Sequence, residues 1–327
     1  MTVIVQVLLL ILGFILLIQG ANVFVSASVG IAKKLRIPGV IIGLTIVAAG
    51  TSAPEAVVSI IAASKGSNDI AAGNIVGSNI FNLLLVVGIC ALIKPFAVRL
   101  KEISGDFLVS AGAAGTLLVM AVFSAIFDDP AKGIILRISS ALLLFVFVIY
   151  MFVLIKKTAK EKDAERDEER QVNRVSVRPL PLSILLAVTG CALVILGGQF
   201  TVNSASKIAA WLGVDERIIG LTIVAVGTSL PEFVVSIVAC KKGESEIALG
   251  NVIGSNIFNI LFILGLAGVI SPLTAGAGIN MIPDIILLIL SSLLVLFFVY
   301  SGRRLVRTEG FVMVIAYTAY IIYTVAV

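Results

Sequence analysis

Gly43-Leu-Thr-Ile-Val-Ala-Ala-Gly-Thr-Ser-Ala-Pro-Glu55 returns 177 residues later as Gly220-Leu-Thr-Ile-Val-Ala-Val-Gly-Thr-Ser-Leu-Pro-Glu232. The same offset, without a gap, aligns Gly73-Asn-Ile-Val-Gly-Ser-Asn-Ile-Phe-Asn82 with Gly250-Asn-Val-Ile-Gly-Ser-Asn-Ile-Phe-Asn259. Chance likeness between apolar helices does not hold Pro, Glu, Asn and Gly in register. The chain therefore carries an internal duplication.

The surroundings of the repeat fix its solvent. Of the 327 residues, 59% are hydrophobic and 13% charged, and the mean hydropathy is +1.16. A soluble domain carries about 25% charged residues, so this chain cannot cover a water-facing surface. Runs such as Val3–Ile18, Ile134–Ile155 and Ile285–Val299 suit a hydrocarbon core of about 30 Å, which roughly 20 helical residues cross. The first residues have no basic n-region and no small-residue cleavage site, so they read as the first span and not as a removed signal. Cys90, Cys191 and Cys240 lie in apolar runs without C-x-x-C spacing and read as packing residues. The absence of histidine excludes His-bearing zinc protease motifs and Ser–His dyads and removes the usual proton relay. The net charge of +5 calls for no nucleic acid, because the placement of the charges accounts for it.

Turn signals and charges predict ten spans: 3–32, 38–64, 69–93, 104–126, 132–156, 180–211, 216–240, 246–270, 281–300 and 308–326. One set of connections holds Lys33, Lys34 and Arg36; Lys94, Arg99 and Lys101; the run from Lys156 to Arg178; Lys241 and Lys242; and Arg303, Arg304 and Arg307. The other face keeps Lys65, Lys132, Arg137, Lys207 and Arg217. The richer set is expected to be cytoplasmic, which puts both termini outside a plasma (inner) membrane. An odd number of spans per half inverts the halves. The expected organisation is an all-α polytopic membrane protein: a first five-helix repeat (1–156), a charged cytoplasmic linker (157–179) and a second, inverted five-helix repeat (180–327). The change from Lys33–Arg36 to Asp215-Glu216-Arg217 at the equivalent loop agrees with inversion. The linker reads as a solvated segment, partly helical, too short for a separate sensing domain.

An ionisable residue deep in a span costs a few kcal/mol on insertion scales and marks a functional site. Glu55 and Glu232 are such residues, and each follows Gly-Thr-Ser-x-Pro. Proline removes a backbone donor and glycine eases bending, so breaks are expected at Gly50–Pro54 and Gly227–Pro231. These breaks are expected to free carbonyls at Ala48 and Ala225, in a setting where irregular backbone must line an enclosed cavity. Carbonyls, hydroxyls and carboxylates are hard oxygen donors suited to Ca²⁺ and Na⁺. The neighbouring spans carry polar stripes at four-residue spacing, Asn74, Ser78 and Asn82 and then Asn251, Ser255 and Asn259. Gly73, Gly77, Gly250 and Gly254 add a small-xxx-small pattern for close helix approach.

Blander roles stand beside these. Asn74, Asn79, Asn251 and Asn256 read first as helix–helix glue, whereas Ser78, Asn82, Ser255 and Asn259 read first as ligands. Thr51, Ser52, Thr228 and Ser229 either cap the half-helix after the break or ligate, and the two are compatible. Two carboxylates at a pseudo-twofold repeat interface are the plan of a secondary transporter. One divalent or several monovalent cations can neutralise them, which gives exchange without ATP, and no Walker-type loop is present. A passive cation channel is the reading from a different class. No nucleophile–base pair supports an enzyme.

At these residues the chain resembles the cation/Ca²⁺ exchanger superfamily and, within it, the sodium/calcium exchanger branch. The specific part is the pair GTSAPE with GNIVGSNIFN and GTSLPE with GNVIGSNIFN; span count and repeat plan extend the likeness over the whole chain. The resemblance implies a pocket between the second, third, seventh and eighth spans, with alternating access by sliding of the first and sixth. It implies ligands at Ala48, Thr51, Ser52, Glu55, Ser78 and Asn82, and at Ala225, Thr228, Ser229, Glu232, Ser255 and Asn259. Some relatives have Asp where this chain has Asn82 or Asn259. The implied activity is electrogenic Na⁺/Ca²⁺ antiport with no cofactor. Ca²⁺/H⁺ and K⁺-dependent exchange are the alternatives. The expected partners are membrane lipid and the transported Ca²⁺ and Na⁺, with a monomer as the expected state.

Overall fold

The computed structural model describes residues 3–98, 100–126, 132–168, 179–214, 225–273 and 281–326. Within them the chain is almost wholly helical: α1 (Val3–Leu35), α2 (Gly39–Thr51), α3 (Ala53–Ser64), α4 (Asn68–Ile93), α5 (Leu100–Ile126), α6 (Lys132–Glu168), α7 (Leu180–Trp211), α8 (Ala225–Thr228), α9 (Leu230–Lys242), α10 (Ser245–Ile270), α11 (Ile282–Gly302) and α12 (Arg307–Ala326). Seven of these are long and apolar enough to cross a membrane, or eight when α2 and α3, bent by 50° at Ser52, count as one span. The expected start of the seventh span, 216–224, and most of the linker lie outside the described residues. The expected boundary at 156 is not a helix end, because α6 runs on to Glu168. Its last turns are rich in charge and so extend the helix beyond any apolar slab.

Burial divides the helices into an inner and an outer set. In α4 and α10 about three quarters of the most apolar window is buried, 78% and 72%, against 22% for α1 and α6. The duplicated motifs thus form the centre, and Ile, Leu, Val and Phe side chains of the outer helices face outward, as lipid contact demands. Among the described residues three inner segments wind as π-helix: Gly43–Val47 in α2, Phe81–Val86 in α4 and Phe258–Leu264 in α10. Such stretches concentrate at functional sites because they spare a carbonyl from regular pairing.

The most extensive helix contact joins α1 to α7, and glycines make it close. A Cβ on Gly13 would lie 2.6 Å from Thr201 Oγ1, one on Gly20 2.8 Å from Val194 N, one on Gly190 2.6 Å from Phe24 N, and one on Gly197 2.5 Å from Leu17 N. Gly190 and Gly197 are the repeat images of Gly13 and Gly20. The two helices therefore meet backbone to backbone at these four glycines.

Short contacts tie the connections together. Phe96–Ala97 pairs antiparallel with Arg304–Leu305, and the Val98 N–H donates to Arg303 O at 3.0 Å. Arg307 Nε donates to Leu92 O at 3.2 Å, and Asn68 Nδ2 to Pro272 O at 2.7 Å. Each link joins two connections that the expected ten-span topology puts on one face.

Candidate cation-binding site

Both expected breaks are present. The chain leaves helical geometry at Ser52 (φ −80°, ψ 6°) and again at Ser229 (φ −88°, ψ 4°), with Pro54 and Pro231 starting the next helix. Glu55 and Glu232 fall in the first turns of α3 and α9, and both are 0% exposed. The spans that carry them and the stripes facing them hold no Lys or Arg between 38 and 64, 69 and 93, 218 and 240, or 246 and 270. Two acidic groups are thus shut away from water with no basic side chain along those spans, and each lies within electrostatic range of the other.

The choice between capping and facing the site is settled for the two serines. Neither Ser52 nor Ser229 caps a backbone amide of the helix it starts. Ser52 Oγ donates to Glu232 Oε1 at 2.9 Å, and Ser229 Oγ lies 3.0 Å from Glu55 Oε1 and 2.9 Å from Ser78 Oγ. Each serine crosses to the carboxylate of the other repeat. Ser255 Oγ approaches Glu232 Oε1 at 3.4 Å and Thr51 Oγ1 at 3.5 Å. Thr51 Oγ1 lies 3.0 Å from Asn251 Oδ1, and its image Thr228 donates to Asn74 Oδ1 at 3.2 Å.

Asparagines build the frame. Asn74 Nδ2 donates to Ser59 Oγ at 3.0 Å and Asn251 Nδ2 to Ser236 Oγ at 3.0 Å. At the centre, Asn79 Nδ2 donates to Asn256 O and Asn256 Nδ2 to Asn79 O, both at 3.2 Å. Asn82 Nδ2 then donates to Asn256 Oδ1 at 3.1 Å, and Asn259 Nδ2 to Asn79 Oδ1 at 2.9 Å. Every bond in this ladder has a twin related by the 177-residue offset. With their amide nitrogens spent on the ladder, Asn82 and Asn259 are left with Oδ1 turned away from it.

Those two oxygens have no donor. The buried acceptors without a partner include Glu55 Oε2, Glu232 Oε2, Asn82 Oδ1 and Asn259 Oδ1, two pairs related by the repeat. A buried acceptor left unsatisfied costs about 1–3 kcal/mol, more for a charged one. Four gathered at one repeat interface fit hard cations, which take oxygen ligands.

One expectation needs correction. The Ala48 carbonyl is not freed: the Ser52 N–H donates to it at 3.0 Å, and Thr51 Oγ1 lies 3.3 Å away. The helix runs through Thr51 before it bends, so proline's missing donor falls instead on the carbonyl four residues before Pro54, that of Gly50. Ala225 opens α8, just after the residues left undescribed.

Some of the site escaped sequence reasoning. Ser59 and Ser236 anchor Asn74 and Asn251; the 177-residue offset and their position one turn after each Glu are the signals that pointed to them. Glu55 and Glu232 are not the only buried acids either. Asp106 on α5 is buried and accepts from Tyr150 Oη on α6 at 3.0 Å. The half-buried Asp284 on α11 accepts likewise from Tyr320 on α12. These pairs tie outer helices together near the ends of the spans.

Comparison with known proteins agrees with this geometry. The family described as sodium/calcium exchanger protein matches residues 5–156 and 182–326. The sodium/calcium exchanger MaX1 of Methanosarcina acetivorans is 33% identical over 348 aligned positions, which cover 97% of this chain and 98% of its own. The inner membrane protein YrbG of Escherichia coli is 36% identical over 270 positions, covering 81% and 79%. Among solved structures, the sodium-calcium exchanger NCX_Mj soaked with Na⁺ and Ca²⁺ superposes with a TM-score of 0.81 at 31% identity, covering 98% of each chain. With two matched halves and full-length relatives, the chain belongs to the sodium/calcium exchanger family.

Proposed function

We propose that the protein is a secondary antiporter that exchanges Na⁺ for Ca²⁺ by alternating access. The observation that carries this reading is the set of four donorless buried oxygens, Glu55 Oε2, Glu232 Oε2, Asn82 Oδ1 and Asn259 Oδ1. Hydroxyls of Thr51, Ser52 and Ser78, and of Thr228, Ser229 and Ser255, complete the oxygen cage. The carbonyls of Ala48 and Ala225 ligate through their remaining lone pair. Two negative charges repel in an empty dry cage, so the empty form is disfavoured and a load is needed to cross. One Ca²⁺ or a set of Na⁺ ions meets that need through shared ligands, which makes the loads mutually exclusive. Exchange of Ca²⁺ for more than two Na⁺ moves net charge and is electrogenic.

The rest of the molecule fits this scheme as ten spans in two inverted five-helix repeats, with both termini outside and the linker cytoplasmic. The close glycine contacts support α1 and α7 as the pair that slides past the cage, exposing it first to one side and then to the other. No resident cofactor is needed. The test is uptake of radiolabelled Ca²⁺ into proteoliposomes loaded with Na⁺. Uptake that tracks the outward Na⁺ gradient supports exchange; uptake indifferent to it, or driven instead by a pH or K⁺ gradient, overturns this choice of counter-ion. Saturable counter-transport separates the carrier from a channel.

A further inference from the structure

One lysine bridges α1 and the core. Lys242, the last residue of α9, donates from Nζ to Asn22 O at 2.8 Å and to Ser26 Oγ at 2.6 Å on α1. The bridge ends a longer seam. Val235, Val238 and Lys242 share one face of α9 at helical spacing; α1 packs against α9, and the two valines are 0% and 8% exposed. The 177-residue offset turns this row into Val58, Ile61 and Lys65 on α3. Both rows end in the same turn: Gly66 and Gly243 take φ of 74° and 83°, and the Ser67 and Glu244 amides donate to Ala62 O and Ala239 O at 2.9 Å. The pair Lys241-Lys242 becomes Ser64-Lys65, so the lysine kept is the one that bridges. Yet α7, the image of α1, makes no comparable contact with α3 among the described residues. Val58 and Ile61 are 36% and 49% exposed. Lys65 meets no acceptor among the described residues, and Gln199 and Asn203, the images of Asn22 and Ser26, are exposed on α7. One seam is shut and its twin stands open.

We infer that Lys242 and Lys65 are alternating latches of the exchange cycle. Lys242 holds α1 to α9 in the state seen here. In the opposite state Lys65 holds α7 to α3 through Gln199 O and the Asn203 side chain. In an inverted-repeat carrier the access states arise by rocking one part of the molecule against another about a fixed site, and the two halves exchange roles between them. A bond that one half makes in one state is therefore open to the other half in the next. Sliding of α1 and α7 trades one latch for the other, so neither access state is held by both at once. This inference rests on the inverted-repeat, sliding-helix reading proposed above.

The test is modification by an impermeant maleimide of the full-length protein carrying Ile61→Cys or Val238→Cys. Right-side-out and inverted membrane vesicles give the sidedness, and peptide mass spectrometry reads each site apart from the native cysteines. Ile61→Cys should react from one side, and Val238→Cys, more slowly, from the other. Lys242→Met should raise the ratio of the Val238→Cys rate to the Ile61→Cys rate about 2- to 10-fold, the range of one net hydrogen bond. Lys65→Met should lower that ratio by a similar factor. Losing a neighbouring ammonium would by itself make each thiol less reactive, which is the opposite sign in both variants. Lys242→Arg, which keeps a charged donor, should restore the original ratio. Both cysteines reached from the same side would overturn the inverted-repeat reading itself. With opposite sides, a ratio that Lys242→Met leaves unmoved or lowers would overturn the latch, and one that Lys65→Met leaves unmoved or raises would overturn the alternation.

Discussion

Replacing Ser52 with alanine removes the hydroxyl that donates to Glu232 Oε1 at 2.9 Å. The carboxylate then keeps Ser255, at 3.4 Å from Oε1, and Thr51. A hydrogen bond to a charged group contributes about 1.5–3 kcal/mol, and every 1.4 kcal/mol is about tenfold in affinity. With Ser52 acting as an ion ligand, loss of a contact of that size should lower Ca²⁺ affinity roughly 10- to 150-fold. Ser229→Ala removes two close contacts, 3.0 Å to Glu55 Oε1 and 2.9 Å to Ser78 Oγ, and should sit at the upper end of that range. Calorimetric titration of the purified variants with Ca²⁺ reads both numbers. Neither serine caps a helix amide, so the loss of stability should stay within the about 1–3 kcal/mol that an unsatisfied buried acceptor costs. Unaltered affinity in both variants, or loss of stability in place of affinity, would refute the assignment of these hydroxyls to the cage.

Further consequences concern the scaffold. Gly197→Ala sets a Cβ 2.5 Å from Leu17 N, against ordinary carbon contacts of about 3.5–4.0 Å; it should cost about 1–3 kcal/mol by overpacking, visible as a lower melting temperature, and should slow Ca²⁺ flux more than Ca²⁺ binding. Tyr150→Phe strips the 3.0 Å donor from buried Asp106, so it should lower stability by about 1–3 kcal/mol and leave Ca²⁺ affinity as it was. On the proposed topology, an impermeant maleimide should reach cysteines placed at Ala97 and Arg304 from the same side of the membrane and one placed at Lys65 only from the other. Labelling of all three from one side would refute it.

Much of the centre was legible in the sequence because it rests on covalent and periodic facts. Pro54 and Pro231 dictate where the helices break, and an unpaired Glu has no cheap place in a bilayer except a polar interior. The four-residue spacing of Asn74, Ser78 and Asn82 needs only a helix to become one face. What could not be read depends on partners far along the chain. Whether Ser52 caps its own helix or crosses to Glu232 is decided by the opposite repeat, as is the pairing of Asn79 with Asn256. The π-turns, the Ala48 carbonyl that stays bonded and the union of Phe96 with Leu305 are likewise products of packing, invisible to periodicity. How far α6 runs into the linker, to Glu168, could not be read, because charge marks the end of the apolar slab and not the end of a helix.

The claim at the root of the account is that Ca²⁺ and Na⁺ compete for one cage built on Glu55 and Glu232. Equilibrium Ca²⁺ binding to the purified protein, titrated with Na⁺ and repeated for Glu55→Gln and Glu232→Gln, tests it directly. Na⁺ should raise the apparent Kd without changing the number of Ca²⁺ bound at saturation, and either substitution should abolish binding in a folded protein. Ca²⁺ binding that ignores Na⁺, or that persists at full strength in either variant, would contradict it.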